Sequence, residues 1–310
     1  MSADGGTKAI LAALFANAGI AIAKFIGAAI TGSSSMMAEG VHSVADTSNQ
    51  GLLLLGKKTS QRRATQQHPF GYGRDRYFYS FIVALLLFSM GALFALYEGI
   101  HKYLEPEALT RPMVAVVILV VAIGLETYSF RTAVVESRAI KGDATWWEFI
   151  RQSKVPELPV VLLEDAGALV GLILALAGVG MTVLTGDPVW DAVGTISIGV
   201  LLAVIAVILI IEMKGLLIGE GSSEGELDTI TGELVSGDVQ RVIHIRTQYI
   251  GPDELLVAAK VALPPDMPFA DVARTINAAE QRVRAKVPAA RLIYLEPDLD
   301  RSKTADREPA

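Results

Sequence analysis

Up to residue 213 the chain is written in long apolar blocks; beyond it the blocks give way to short alternating runs. A helix needs about 20 apolar residues to cross the hydrocarbon layer. Six stretches qualify: residues 9–30, 35–56, 77–103, 112–135, 158–184 and 189–211. After 213 the period changes. Residues 224–235 and 269–287 have helical spacing, the second with Pro268 near its start. Residues 241–249 and 254–263 read as strands joined by an Ile250-Gly251-Pro252-Asp253 turn, and 291–296 is a short closing strand. In the second strand Leu255, Val257, Ala259, Val261 and Leu263 share a face. The expected fold is an α-helical membrane protein with six transmembrane helices and a C-terminal α+β, ferredoxin-like (αββαβ) cytoplasmic domain. The expected boundaries are a transmembrane domain over 1–213, the αββαβ domain over 214–297 and a disordered tail over 298–310.

Orientation follows from the basic residues, which collect on the cytoplasmic side of a membrane protein. Lys8 precedes the first span. Lys57, Lys58, Arg62, Arg63, Arg74 and Arg76 fill the connection between the second and third. Arg138, Lys141, Arg151 and Lys154 lie between the fourth and fifth, and Lys214 follows the sixth. The alternate connections hold Arg111 alone. Both termini are therefore expected in the cytoplasm. Lys24 and Arg131, near span ends, are expected to snorkel to the interface. The stretch 143–157, with Trp146, Trp147 and Phe149 among charges, reads as an interfacial anchor. The N-terminal MSADGGTK does not read as a cleavable signal, because the apolar run after it is too long.

Composition agrees. The 310 residues are 52% hydrophobic and 19% charged, below the roughly 25% charged of a soluble domain. Net charge is −6 and no basic stripe is present, so nucleic acid is not an expected partner. The absence of cysteine removes disulfides and thiolate metal sites.

The chemistry concentrates in the second span. Glu39, His42 and Asp46 recur at spacings of three and four, which stack on one helix face. Asp165 is a further carboxylate in the fifth span. Ionisable groups inside a bilayer are expensive and mark an ion or substrate path. One imidazole and two carboxylates from two helices suit a divalent transition metal, with a tetrahedral position left open. Neutral imidazole and ionised carboxylate are the binding forms, so protons compete with the ion.

Around this core the sequence offers further candidates. Glu39 is a fourth ligand or a partner of the imidazole, and near its helix start it also offsets the helix dipole. Glu164 points about 100° away from Asp165, toward a partner such as His68, Asn17 or Glu126. Asn17 and Glu126 are single polar groups of the kind that hydrogen-bond between helices. His68, in the loop HPFGYGRDRY, is a candidate second metal site or a turn residue, and His244 a candidate site in the C-terminal domain. Arg74, Asp75 and Arg76 are expected to form salt bridges with a second subunit or the C-terminal domain. Glu98 and His101 lie near the outer end of the third span, as a lined exit or a solvated interface.

From Lys8 to Glu296 the chain resembles the cation diffusion facilitators, the zinc-transporter family. The resemblance rests on His42-Ser-Val-Ala-Asp46, the HPFGYGR loop, six spans and the αββαβ tail. The PFGYGR loop and the LLED stretch are most similar to the branch that resembles the vertebrate zinc transporter nine. The resemblance implies a homodimer that exports zinc or a similar divalent ion in exchange for protons. It also implies a tetrahedral site with paired ligands at i and i+4 on the second and fifth helices. His42 and Asp46 complete the first pair. On the fifth helix Val161 stands where the family's histidine would, leaving Glu39, Glu164, Asn17 or water as the fourth donor. In the tail, Lys260 and Tyr294 align with two of the family's usual metal ligands, so a binuclear site there is not expected.

The function expected is a proton-coupled divalent transition-metal efflux transporter in a bacterial inner membrane, not an enzyme. Zinc is the first candidate, with iron, manganese and cobalt behind it. His42, Asp46 and Asp165 hold the ion as transported substrate, and no organic cofactor is implied. The expected partners are a second copy, membrane lipid and protons. The rivals are a membrane-anchored metal sensor or scaffold, which leaves the intramembrane charges unexplained, and a membrane metalloenzyme, for which no HExxH motif is found.

Overall fold

The computed structural model describes residues 7–31, 34–106 and 112–300, without the side chains of 27, 28, 30, 31, 34–42 and 45. Two compact units result. One comprises Met1–Arg63 with Asp75–Lys214, the other Ala64–Arg74 with Gly215–Ala310.

Among the described residues the regular elements of the first unit are all helices. Its elements are α1 (Thr7–Thr31), α2 (Ser34–Ser60), α3 (Asp75–Leu86), a π-helical segment (Leu87–Leu93) and α4 (Phe94–Leu104). They continue with α5 (Pro112–Lys141), α6 (Trp146–Gln152), α7 (Glu157–Thr185) and α8 (Val189–Ile218). Among the described residues five helical stretches are long and apolar enough to cross a membrane: Thr7–Ile26, Asp75–Leu104, Pro112–Lys141, Glu157–Thr185 and Val189–Ile218. The 27-residue α2 is also long enough to cross, and its sequence carries a polar HSVADTSNQ run. Phe15, Tyr97, Met113, Leu184 and Ile211 all point outward and exposed. Helices apolar all round, with large side chains on the outside, are the pattern of a lipid-facing bundle. The chain is an integral membrane protein.

Inside the bundle α1 packs on α2 and α5, α5 on α7, and α2 on α3. Gly199 lets α8 approach α4, since a Cβ there would lie 2.8 Å from the Leu96 backbone nitrogen. Small residues at membrane helix contacts serve this close approach. The seven-residue π-helical segment interrupts the third expected span, and its wider turn resets the helical register between α3 and α4. The short α6 starts with a capping box: Thr145 accepts from the Glu148 backbone N–H, and the Glu148 carboxylate accepts from that of Thr145.

The second unit holds α9 (Glu224–Val235), β1 (Arg241–Gly251), β2 (Glu254–Ala262), α10 (Phe269–Lys286) and β3 (Leu292–Asp298). β1 and β2 run antiparallel, with Tyr249 opposite Leu255. β2 and β3 run parallel, with Val257 opposite Ile293, the crossover being α10. Leu255, Val257, Ala259 and Val261 are buried, as their alternation demands. The first three pack with Ile230, Leu234, Ala279, Val283 and Ile293 from the helices and β3, while Val261 packs with Val239 and Leu263. The loop Ala64–Arg74 joins this unit through Gly73. A side chain at Gly73 would meet the Ile250 carbonyl oxygen at 2.7 Å and the Gly251 Cα at 2.9 Å. The loop expected to belong with the helices is thus moulded onto the β1–β2 turn. β3 reaches Asp298, one residue into the expected tail, and Asp300 pairs with Arg241 of β1 at 2.8 Å. Residues 301–310 of the expected tail lie outside the described residues.

Candidate functional site

Three helices bring acids to the interior of the bundle. Asp165 and Glu164 come from α7, Glu126 from α5 and Asp46 from α2. Asp165, Glu164 and Glu126 are buried, and Asp46 is half-buried. Glu126 lies within electrostatic reach of Asp165, Glu164, Asp46 and the Lys24 amine on α1. Glu164 likewise feels both Asp46 and Asp165. The two expected carboxylates therefore share one neighbourhood. Glu39 and His42 fall in α2 by their backbone, but their side chains lie outside the described residues.

Each acid is held differently. The Ser129 hydroxyl on α5 donates to Asp165 Oδ2 at 2.6 Å. Glu164 accepts at both oxygens from α2, from Asn49 Nδ2 at 3.3 Å and from Gln50 Nε2 at 2.7 Å. The partners expected for Glu164 were His68, Asn17 or Glu126; its hydrogen bonds go instead to a neighbouring pair of amides. Gln50 follows Asp46 by four residues and so shares its face. Its amide oxygen is buried and finds no donor among the described residues. Among the described residues none of these acids forms a group of three close enough to hold an ion in this structure. Like charges in a desolvated space repel.

Other expectations are corrected. Lys24 does not snorkel: its amine donates to Ser43 Oγ at 2.9 Å, tying α1 to α2. Arg76 finds a partner within the helical unit. It is buried at the start of α3 and makes a two-pronged bond to Glu157 at the start of α7, at 2.5 and 2.7 Å. Nothing in the local sequence announces that pairing, because the partners are 81 residues apart. Asn17 is buried in α1. His68 is an exposed turn residue whose ring lies 4.7 Å from that of Tyr72 and whose backbone bonds Thr65 and Gly71. Glu98 pairs with Lys102, and His101 with Glu105, as on a solvated helix end.

In the C-terminal unit His244 lies on the exposed sheet face, opposite Lys260 in the β1–β2 register. The Lys260 ammonium bonds Glu296 at 2.8 Å and Asp298 at 3.4 Å. A lysine already occupies the carboxylates a metal would need, and its hydrogen bond to Glu296 raises its pKa. No cluster of three potential metal donors forms there among the described residues.

A helical bundle with outward apolar side chains and acids sealed in its centre defines a membrane protein built around buried charge. Comparison with known proteins narrows the class: residues 10–218 match the cation efflux transmembrane domain, and the chain belongs to that family. It is 34% identical over 242 residues to the mitochondrial proton-coupled zinc antiporter SLC30A9 of Mus musculus, covering 77% of this chain and 43% of that protein. It is 30% identical over 258 residues to metal tolerance protein C4 of Arabidopsis thaliana, covering 82% and 56%. The magnetosome protein MamB of Magnetospira sp. (strain QH-2) is 24% identical over 284 residues, covering 91% and 92%. The chain spans about half the length of the first two relatives.

Proposed function

We propose that the chain is a proton-coupled exporter of divalent transition metals. Zinc is the first candidate substrate, and iron, manganese and cobalt are the alternatives. One observation carries the reading: half-buried Asp46 and buried Asp165, from helices far apart in sequence, both act electrostatically on the buried Glu164 inside an apolar bundle. Buried carboxylates are costly unless a cation or proton neutralises them, and exchange of one for the other is transport coupled to a proton gradient. His42 supplies the imidazole of this site. The antiporter and metal-tolerance relatives support the same reading.

In this reading α2 also crosses the membrane and brings the spans to six, carried by its packing on α1 and α3 despite its polar run. The αββαβ unit is a ferredoxin-like cytoplasmic domain that joins two copies into a homodimer. Both termini face the cytoplasm, consistent with the basic 57–76 and 138–154 connections. A bacterial inner membrane is the residence, supported by the MamB relative that the chain matches nearly end to end. Alternating access around a fixed site moves the ion outward.

The test is flux. Purified chain in vesicles with an imposed pH gradient should move Zn²⁺, assayed beside Fe²⁺, Mn²⁺ and Co²⁺. Asp46→Ala and Asp165→Ala should abolish the movement. Undiminished flux in both variants removes the mechanism.

A further inference from the structure

We propose that the buried Arg76–Glu157 pair is the latch that closes the inner side of the ion path, and that the structure is the state shut on that side. The inference rests on the transport reading above and adds the step that admits the ion.

Position is the first argument. α3 and α7 both begin on the side that carries the basic 57–76 and 138–154 connections. A charged helix start there would ordinarily sit in headgroups or water, yet Arg76 is 5% exposed and Glu157 1%. Every residue from Glu157 to Leu162 is buried with it. Along α7, Glu157, Val161 and Glu164 share a face at i, i+4 and i+7, and Asp165 follows directly. The pair thus lies two turns, about 11 Å, before these acids. On α3, Ser80 stands one turn beyond Arg76; it is fully buried, and its hydroxyl finds no partner among the described residues. An ion that approaches the acids along this face of α7 meets the pair first.

The chemistry of the pair is the second. A fork of two charge-assisted bonds, at 2.5 and 2.7 Å, holds the helix starts together while both charges stay dry. When the starts part and water enters, each charge regains its hydration, which offsets much of the attraction lost. An apolar pair of similar volume regains nothing on wetting and stays shut. Charges therefore keep the closed and open states close in energy, as a path that opens in every cycle requires. The helix dipole favours an anion in the first turn of α7 and disfavours a cation in the first turn of α3. Arg76 is placed for its partner and against the preference of its own helix. α3 is anchored separately on α2, where a Cβ at Gly56 would lie 2.8 Å from the Tyr79 Cβ. Releasing Arg76 parts α3 from α7 without freeing α3.

The experiment uses the full chain, which has no cysteine, so Ser80→Cys provides a single thiol behind the latch. Its reaction with a water-soluble maleimide in detergent reads opening, and Zn²⁺ movement in vesicles with a pH gradient reads transport. Arg76→Met with Glu157→Leu should fold and melt no earlier than the parent. Its labelling and its flux should both fall about fivefold or more, because the apolar pair favours the dry state. Arg76→Lys, which keeps the charge but loses the fork, should label about tenfold faster. Labelling or flux at the parental rate or above in the folded apolar pair overturns the inference. So does labelling of Arg76→Lys no faster than the parent, which decides the matter alone if the apolar pair does not fold. A parent that moves no ion sinks the transport reading, while slowed labelling in the apolar pair still leaves the latch standing as the closure of the bundle.

Discussion

The Ser129 hydroxyl on α5 donates a hydrogen bond to Asp165 Oδ2 on α7 at 2.6 Å, with both side chains buried. A short bond from hydroxyl to carboxylate is of the charge-assisted kind. It fixes which way the acid points.

Removing that donor should therefore cost stability and positioning together. Ser129→Ala leaves a buried carboxylate short of a partner, worth about 1–3 kcal/mol. The variant should melt earlier in detergent and bind Zn²⁺ more weakly, while Ser129→Thr, which keeps the hydroxyl, should recover much of both. An alanine variant as stable and as tight as the parent would show the bond to be incidental.

The Arg76–Glu157 pair makes a sharper thermodynamic case. Breaking a buried ion pair on one side strands the other charge, at about 3–5 kcal/mol, whereas replacing both by apolar residues of similar volume is often neutral. Glu157→Gln and Arg76→Met alone should each destabilise the helical unit strongly. Arg76→Met with Glu157→Leu should recover most of the loss. Additive losses in the double variant, read by thermal melting in detergent, contradict the pairing.

Alkaline pH should loosen the C-terminal unit. Burial and the adjacent Glu226 carboxylate, which accepts the Tyr249 hydroxyl at 2.9 Å, push that phenol well above its ordinary value. The hydrogen bond to Glu296 raises Lys260 as well. Both groups hold protons more tightly folded than unfolded. Their contribution is complete below about pH 10, where both states are protonated. As pH rises beyond that, the unfolded chain deprotonates first and stability falls until the folded groups also titrate. Tyr249→Phe should flatten this decline, seen as a shallower loss of protection of residues 215–300 in pulse proteolysis of the full chain between pH 9.5 and pH 11. An unchanged slope would mean that Tyr249 does not set it.

Period and composition along the chain determined much of this molecule. The helix over Glu224–Val235 and the strand that buries Leu255, Val257, Ala259 and Val261 follow from local spacing, since a side chain's face is set by its own neighbours. The apolar spans are legible for the same reason, and so is the cost of placing Asp46 and Asp165 among them. Which polar faces meet was decided only by the tertiary structure. Glu164 finds Asn49 and Gln50 more than a hundred residues away, Arg76 finds Glu157, and Glu126 is left beside Asp46 and Asp165. Such meetings depend on how each helix is rotated about its axis and which neighbours it packs against. Several rotations bury nearly equal apolar area when a helix is apolar all round, so hydrophobic pattern alone cannot choose between them. The long-range hydrogen bonds and ion pairs supply that choice.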